Sequence, residues 1–240
     1  MQVYPFKTDN KNPLFAAFPF IFNGNPVEGI SCRLSLRAAG DMKTDEKNRF
    51  TLFSKIGLNP DNVYALNQIH SRTVLAVDSA NPPSAQADGM VTRDRNITLS
   101  VTVADCLPVF LYDSKSGAFG LVHSGWKGTG IAVNALVLMR ERYGTEPCDI
   151  AAVLGPCIDS CCYKVDKERA EIFKKDFGSE SVREDGGYFL DLKAANIKLL
   201  KDAGVENIAV CKECTFCDEK FGSFRREGEK FTHMAAFVNC

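Results

Sequence analysis

The sequence predicts an α/β fold, a mixed-sheet α/β sandwich, from three observations. Short β-rich runs outnumber helical ones. Two of those runs, Val109–Tyr112 and Phe119–Val122, flank the turn Lys115-Ser116-Gly117 and are therefore hairpin neighbours, so the sheet is not purely parallel. The helical segments carry capping residues and 3.6-residue apolar periods, and they alternate with strands.

Taken in chain order, Thr44 or Asp45 can cap a first helix that places Phe50, Phe53 and Ile56 on one side and stops at Gly57. Val63–Ile69, Thr73–Val77 and Ile97–Val103 read as strands, with a loop at Asn81-Pro82-Pro83-Ser84-Ala85-Gln86. After the hairpin, Ile131–Tyr143 reads as a helix that is apolar almost all round, which predicts deep burial, and Gly144 ends it. Ile150–Leu154 is a buried strand broken by Gly155-Pro156. Asp166 can cap a helix running to Phe177. Asp191 caps the clearest helix, in which Leu192, Ala195, Leu199, Leu200 and Ala203 keep the 3.6 period until Gly204. Ile208–Val210 and Ala235–Val238 complete the strands.

Composition narrows the function. At 240 residues, 45% apolar and 25% charged, the chain can build a substantial core, and residues 1–240 are expected to form a single domain. A net charge of −1 gives no broad basic field for nucleic acid and no polybasic segment for a membrane. Met1–Lys7 lacks the features of a signal peptide, and no apolar run reaches membrane-spanning length. A cytoplasmic location follows as the expectation. There the ten cysteines act as thiols or ligands rather than as a disulfide framework. Cys211, Cys214 and Cys217 stand three apart, and Cys157, Cys161 and Cys162 form a second group. Three equally spaced cysteines lack a fourth ligand, so the first group is expected to be structural and metal-free.

The candidate chemistry lies with the histidines. There are three, His70, His123 and His233. His70 and His123 end apolar runs, and between them Val101–Val103 leads through Ala104-Asp105 to Cys106. Two imidazoles and one thiolate can hold one zinc and leave a fourth position open, an arrangement catalytic in type. The same residues also suit a Cys/His nucleophile pair. An isolated histidine is more often simply satisfied by a carbonyl, and an isolated cysteine is more often core. Ser124-Gly125-Trp126-Lys127-Gly128-Thr129-Gly130 follows His123 and turns into a helix, so its backbone N–H groups are candidates to meet an anion. Asp88 and Asp105 are candidate acids or orienting bases. Strand alternation would point Asp105 away from Cys106.

Five blocks occur in order: Gln68-Ile69-His70-Ser71; Ala87-Asp88-Gly89-Met90-Val91-Thr92; Thr102-Val103-Ala104-Asp105-Cys106-Leu107-Pro108-Val109; Val122-His123-Ser124-Gly125-Trp126-Lys127-Gly128-Thr129; and Gly155-Pro156-Cys157-Ile158 with Cys161-Cys162-Tyr163-Lys164-Val165. Asp191–Asn196 and Phe221–Arg226 extend them. Together they closely resemble the laccase-domain purine nucleoside phosphorylase family, also known as YfiH-like or polyphenol oxidase proteins, from about Gly29 onward. The resemblance implies a single-domain α/β sandwich with zinc on His70, Cys106 and His123, which would also be the catalytic residues. It implies phosphorolysis of adenosine, inosine, guanosine and methylthioadenosine, with adenosine deamination as a further activity. Purine nucleosides and phosphate are then the partners, a monomer is expected, and Gln68, Asp88, Lys127, Arg225 and Arg226 are the candidate substrate contacts. The chain departs from the family at Leu34-Ser35-Leu36-Arg37, where members often have Ser-Leu-Asn, and at His233, where members usually have arginine.

Three other functions compete. A cysteine hydrolase or amidase would use Cys106 as nucleophile and His123 or His70 as base, and would suit editing of peptidoglycan precursors. A copper polyphenol oxidase is disfavoured, because a blue site plus a trinuclear site needs more imidazoles than three histidines supply. A metal-dependent binding module would hold purines without turnover.

Overall fold

The computed structural model describes residues 2–7 and 12–240; Met1, part of the N-terminal segment read above, lies outside them. Two sheets face each other. The larger runs in the order Gln2–Phe6, Asn207–Cys211, Ile150–Leu154, Leu107–Asp113, Phe119–Ser124, Gly89–Thr92 and Val74–Ala76. The smaller runs Phe15–Phe18, Ser31–Ser35, Met234–Asn239, Thr98–Val103 and Val63–Ala65. Both mix parallel and antiparallel pairs, and the expected hairpin is present, with Leu107 opposite Ser124 and Tyr112 opposite Phe119. A three-stranded sheet, Lys164–Val165, Tyr188–Leu190 and Val182–Glu184, stands apart.

Side-chain alternation sorts the larger sheet between two cores. Val109, Leu111 and Val122 meet the helices α2 (Ile131–Tyr143), α3 (Lys167–Phe177) and α4 (Leu192–Asp202). Phe110, Phe119 and Leu121 point the other way, onto Leu99, Val101, Met234 and Ala236 of the smaller sheet. That is why Ile150–Leu154, buried at every position, reads as an unbroken apolar run. The outer face of the smaller sheet is covered by α1 (Glu46–Lys55), through Leu52 and Phe53 against Ala235 and Phe237.

Caps set the helix starts. The Asp45, Asp166 and Asp191 carboxylates each accept backbone N–H groups of the first turn. Asp45, not Thr44, caps α1. Three expectations change. On α1 the buried pair is Leu52 and Phe53, whereas Phe50 is 60% exposed, because only one side of the helix meets the sheet. On α2 burial is one-sided too, through Ile131, Ala132, Ala135, Leu136 and Met139, and Val137 faces solvent. The strand expected over Val63–Ile69 stops at Ala65, well short of His70. Among the described residues no helix is long and apolar enough to cross a membrane.

Phe53→Ala should cost about 3–5 kcal/mol in urea unfolding, as a truncated core aromatic does. Phe50→Ala should stay within about 0.5 kcal/mol.

Candidate metal centre and cavity

The segment Ala104-Asp105-Cys106 is where the chain leaves the smaller sheet, at Val103, and enters the larger one, at Leu107. Cys106 therefore sits at the mouth of the sandwich. Since Leu107 pairs with Ser124, Cys106 falls opposite Gly125, two positions past His123. A Cβ on residue 125 would lie 2.9 Å from the Cys106 Sγ and 3.5 Å from a His70 ring carbon, so only glycine lets these groups converge. His70 arrives from the segment after Val63–Ala65, in the left-handed region at φ 60°. It does not end a strand.

Asp88 holds the arrangement from beneath. Fully buried at the edge of Gly89–Thr92, its carboxylate accepts the N–H groups of Ile69, His70 and Ser71 at 3.3, 3.0 and 2.6 Å, and the Ser71 hydroxyl at 2.7 Å. It also meets the His123 Nδ1 at 2.9 Å. Burial opposes ionisation of Asp88, but the bonds from His123 and Ser71 outweigh it and hold the carboxyl well below the usual carboxylate range. An ionised Asp88 accepts the His123 Nδ1–H, which leaves Nε2 as that ring's free ligand atom. Burial alone would raise the Cys106 thiol; His123 and His70 beside it bring it below the ordinary cysteine value. Burial alone would lower His123, and Cys106 and Asp88 raise it instead. The two groups thus favour a thiolate next to an imidazolium.

The ligand atoms of His70, Cys106 and His123 lie within 4.8 Å of one another. The donor set fits a divalent cation: two imidazoles, a thiol already biased toward thiolate, and a carboxylate fixing one ring from behind.

Above the three opens a cavity of about 420 Å³, within the range of small-molecule sites. Its walls are largely apolar, from Trp126, Ile158, Tyr163, Leu192, Phe224 and Phe231. Its cations are Lys43, Arg169 and Arg225, with His233 beside Phe231 at 4.4 Å. The Arg169 guanidinium lies over Trp126 at 4.7 Å, and that of Arg225 lies over Tyr163 at 5.4 Å. The His233 Nδ1 meets Asp41 at 2.9 Å.

The sequence-derived substrate contacts separate on this geometry. Gln68 lines the cavity, but Thr102 occupies both ends of its amide. Asp88 lies below the cavity rather than in its wall. Lys127 is exposed outside it, over Trp126 at 5.7 Å. Of the Gly125–Gly130 turn only Trp126 lines the cavity; Gly128 packs on the Ser71 carbonyl, and Gly130, at φ 99°, lies by Leu199 and Arg72. The glycines therefore serve close packing, and apart from Trp126 the turn leading into α2 does not line the cavity. Arg225 reaches the cavity, whereas Arg226 does not. Its guanidinium donates to the carbonyls of Thr215, Phe216 and Asp218 at 2.6, 3.0 and 3.4 Å, to that of Phe221, and to Glu227 at 2.7 Å. Asp105 follows the end of its strand at φ 79°, so alternation does not govern it. Thr215 and the Arg225 N–H hold its carboxylate at 2.6 and 2.7 Å. Trp126 and Tyr163 stand inside the motif blocks but were given no role from sequence, and Arg169 and Lys43 lie outside those blocks.

Comparison with known proteins places these observations. Residues 29–240 match the family model described as multi-copper polyphenol oxidoreductase laccase. A purine nucleoside phosphorylase of Corynebacterium glutamicum is 36% identical over 205 residues, covering 82% of each chain. The purine nucleoside phosphorylase YlmD of Geobacillus stearothermophilus is 33% identical over 219 residues, covering 83% of this chain and 80% of its own. The crystal structure of YlmD superposes with a TM-score of 0.86 at 27% identity, and that of the Bacillus licheniformis hypothetical protein YfiH with 0.84 at 25%; each alignment covers 97% of this chain and 98% of the other.

Removing the Arg226 donors from four carbonyls should cost about 2–3 kcal/mol in Arg226→Ala, read by equilibrium unfolding. Arg225→Ala, at an exposed side chain, should cost less than about 1 kcal/mol.

Proposed function

The chain belongs to the multi-copper polyphenol oxidoreductase laccase family, the YfiH-like proteins, and from that membership we propose that it is a zinc-dependent purine nucleoside phosphorylase whose residues 1–240 act as one catalytic domain. The observation that carries the reading is the cavity itself, in which the His70/Cys106/His123 cluster faces arginines across aromatic walls.

His70, Cys106 and His123 would hold the zinc, which when bound supplies Lewis acidity to the cavity. Zinc is preferred to copper because it takes two imidazoles and a thiolate with an open fourth position, whereas a multicopper oxidase needs more imidazoles than three histidines supply. Asp88 keeps the His123 proton on Nδ1 and anchors the backbone that carries His70. The aromatic walls suit a purine. Arg225 and Arg169 suit phosphate, since a guanidinium offers paired donors to an oxyanion. In phosphorolysis a phosphate oxygen bonds the ribose C1′ as the bond to the purine nitrogen breaks, and the purine gains a proton. The products are ribose 1-phosphate and free base. Adenosine, inosine, guanosine and methylthioadenosine are the proposed substrates, with adenosine deamination as a side activity. A cytoplasmic setting is proposed on the ten reduced cysteines.

One observation favours a second reading. Asp88, His123 and Cys106 stand in the order orienting group, base and nucleophile. A hydrolase or amidase built on them would work without metal.

The deciding experiment incubates metal-analysed protein with adenosine, with and without phosphate, and separates the products. Ribose 1-phosphate supports the proposal. Inosine formed regardless of phosphate replaces it with deamination, and amide hydrolysis by metal-stripped protein replaces it with the cysteine reading. Arg225→Ala should raise the apparent KM for phosphate roughly tenfold or more, the loss of one hydrogen bond to a charged group. Asp88→Asn should weaken zinc binding roughly 10–100-fold by competition with a chelating dye, because it disturbs the ligands' support while leaving them in place.

A further inference from the structure

A second sulfur cluster lies outside the cavity. The segment after Ile150–Leu154 and the loop after Asn207–Cys211 run side by side, joined by a bridge between Cys157 and Cys214 and by the Thr215 N–H donating to the Cys157 carbonyl at 3.0 Å. That pairing brings the vicinal Cys161-Cys162 to the Cys214-x-x-Cys217 turn. Cys217 Sγ lies 3.3 Å from that of Cys162 and 3.8 Å from that of Cys161. All four sulfurs fall within 4.8 Å of one another. A tetrahedral zinc thiolate, with Zn–S near 2.3 Å, sets its sulfurs about 3.8 Å apart.

Cys211, Cys214 and Cys217, grouped by their spacing and expected from sequence to be metal-free, are therefore not the set of sulfurs that converges. Cys211 turns to Glu213, donating to it at 3.4 Å, and the missing ligands come from a segment some fifty residues earlier. The Asp159 N–H donates to the Cys214 Sγ at 3.4 Å, the kind of support that fixes a ligand sulfur. We propose that Cys161, Cys162, Cys214 and Cys217 form a closed tetrathiolate site for one structural zinc ion, separate from the His70/Cys106/His123 cluster.

The ion would clamp together two segments that build the cavity wall. Ile158 and Tyr163 flank the first cysteine pair. Thr215, between Cys214 and Cys217, holds the Asp105 carboxylate beside Cys106. The site thus acts on the shape of the cavity without facing it.

The test is titration of metal-free, fully reduced protein with Co2+, followed by zinc analysis of the same protein purified without chelator. The wild type should develop the intense sulfur-to-cobalt charge-transfer absorption of a tetrathiolate. Cys217→Ser and Cys161→Ser should lose it and carry one zinc fewer per chain. Cys211→Ser and His123→Ala should keep it. Because the wild-type spectrum needs no variant, misfolding of a serine variant does not shelter the proposal. A wild type without that absorption overturns it, as does unchanged zinc in folded Cys217→Ser, iron with inorganic sulfide at the site, or a Cys162–Cys217 disulfide that persists under reductant.

Discussion

The Asp88 carboxylate is the constraint on which the site depends. It is a charge with no solvent contact, and such a group is tolerable only when its oxygens are fully bonded. Here the partners are three successive N–H groups at 69–71, the Ser71 hydroxyl and the His123 ring. Satisfying the carboxylate therefore fixes His70 in an unusual backbone conformation and His123 in one tautomer at once. A backbone at φ 60° costs of order 1–3 kcal/mol for a residue with a side chain. The bonds to Asp88 offset that cost.

A second carboxylate plays the corresponding part on the other side of Cys106. Asp105, also at positive φ, is held by Thr215 and by the Arg225 N–H, and its own carbonyl accepts the Ile158 N–H at 2.9 Å. Cys106 is thus set by neighbours in sequence that are locked to remote segments. The sequence offers both as candidate acids or orienting bases; in the fold every carboxylate oxygen of the two is engaged by a donor.

The fold was legible where periodicity was strong. The hairpin, the Ile150–Leu154 strand, and the α3 and α4 caps follow directly from local residues. Burial of α1 and α2 did not, since a helix's apolar residues say what can be buried and only its neighbour decides what is. The His70, Cys106 and His123 constellation was nameable because histidines are few and all three residues fall in the blocks that carry the family resemblance. Of the cavity's cations Lys43 and Arg169 were not, for Arg169 comes from a helix whose sequence reads as an ordinary solvated face. Arg225 and Arg226 show the same limit: adjacent and chemically identical, one lines the cavity and the other bonds four carbonyls. The four-sulfur group escaped for a related reason, since local spacing drew Cys211 into the wrong set.

Met234–Asn239 is the strand latest in the sequence, yet it occupies the middle of the smaller sheet, between Ser31–Ser35 and Thr98–Val103. Until it is in place, those two strands have no partner between them, and Phe237 leaves α1 without a surface. The larger sheet's hairpin can form early, since its contacts are local, while the smaller sheet must wait for Met234–Asn239, whose two partners lie far earlier in the chain. Until that long-range pairing closes, the apolar inner face of the larger sheet lacks its cover, which makes this strand the one whose delay leaves most apolar surface open to association.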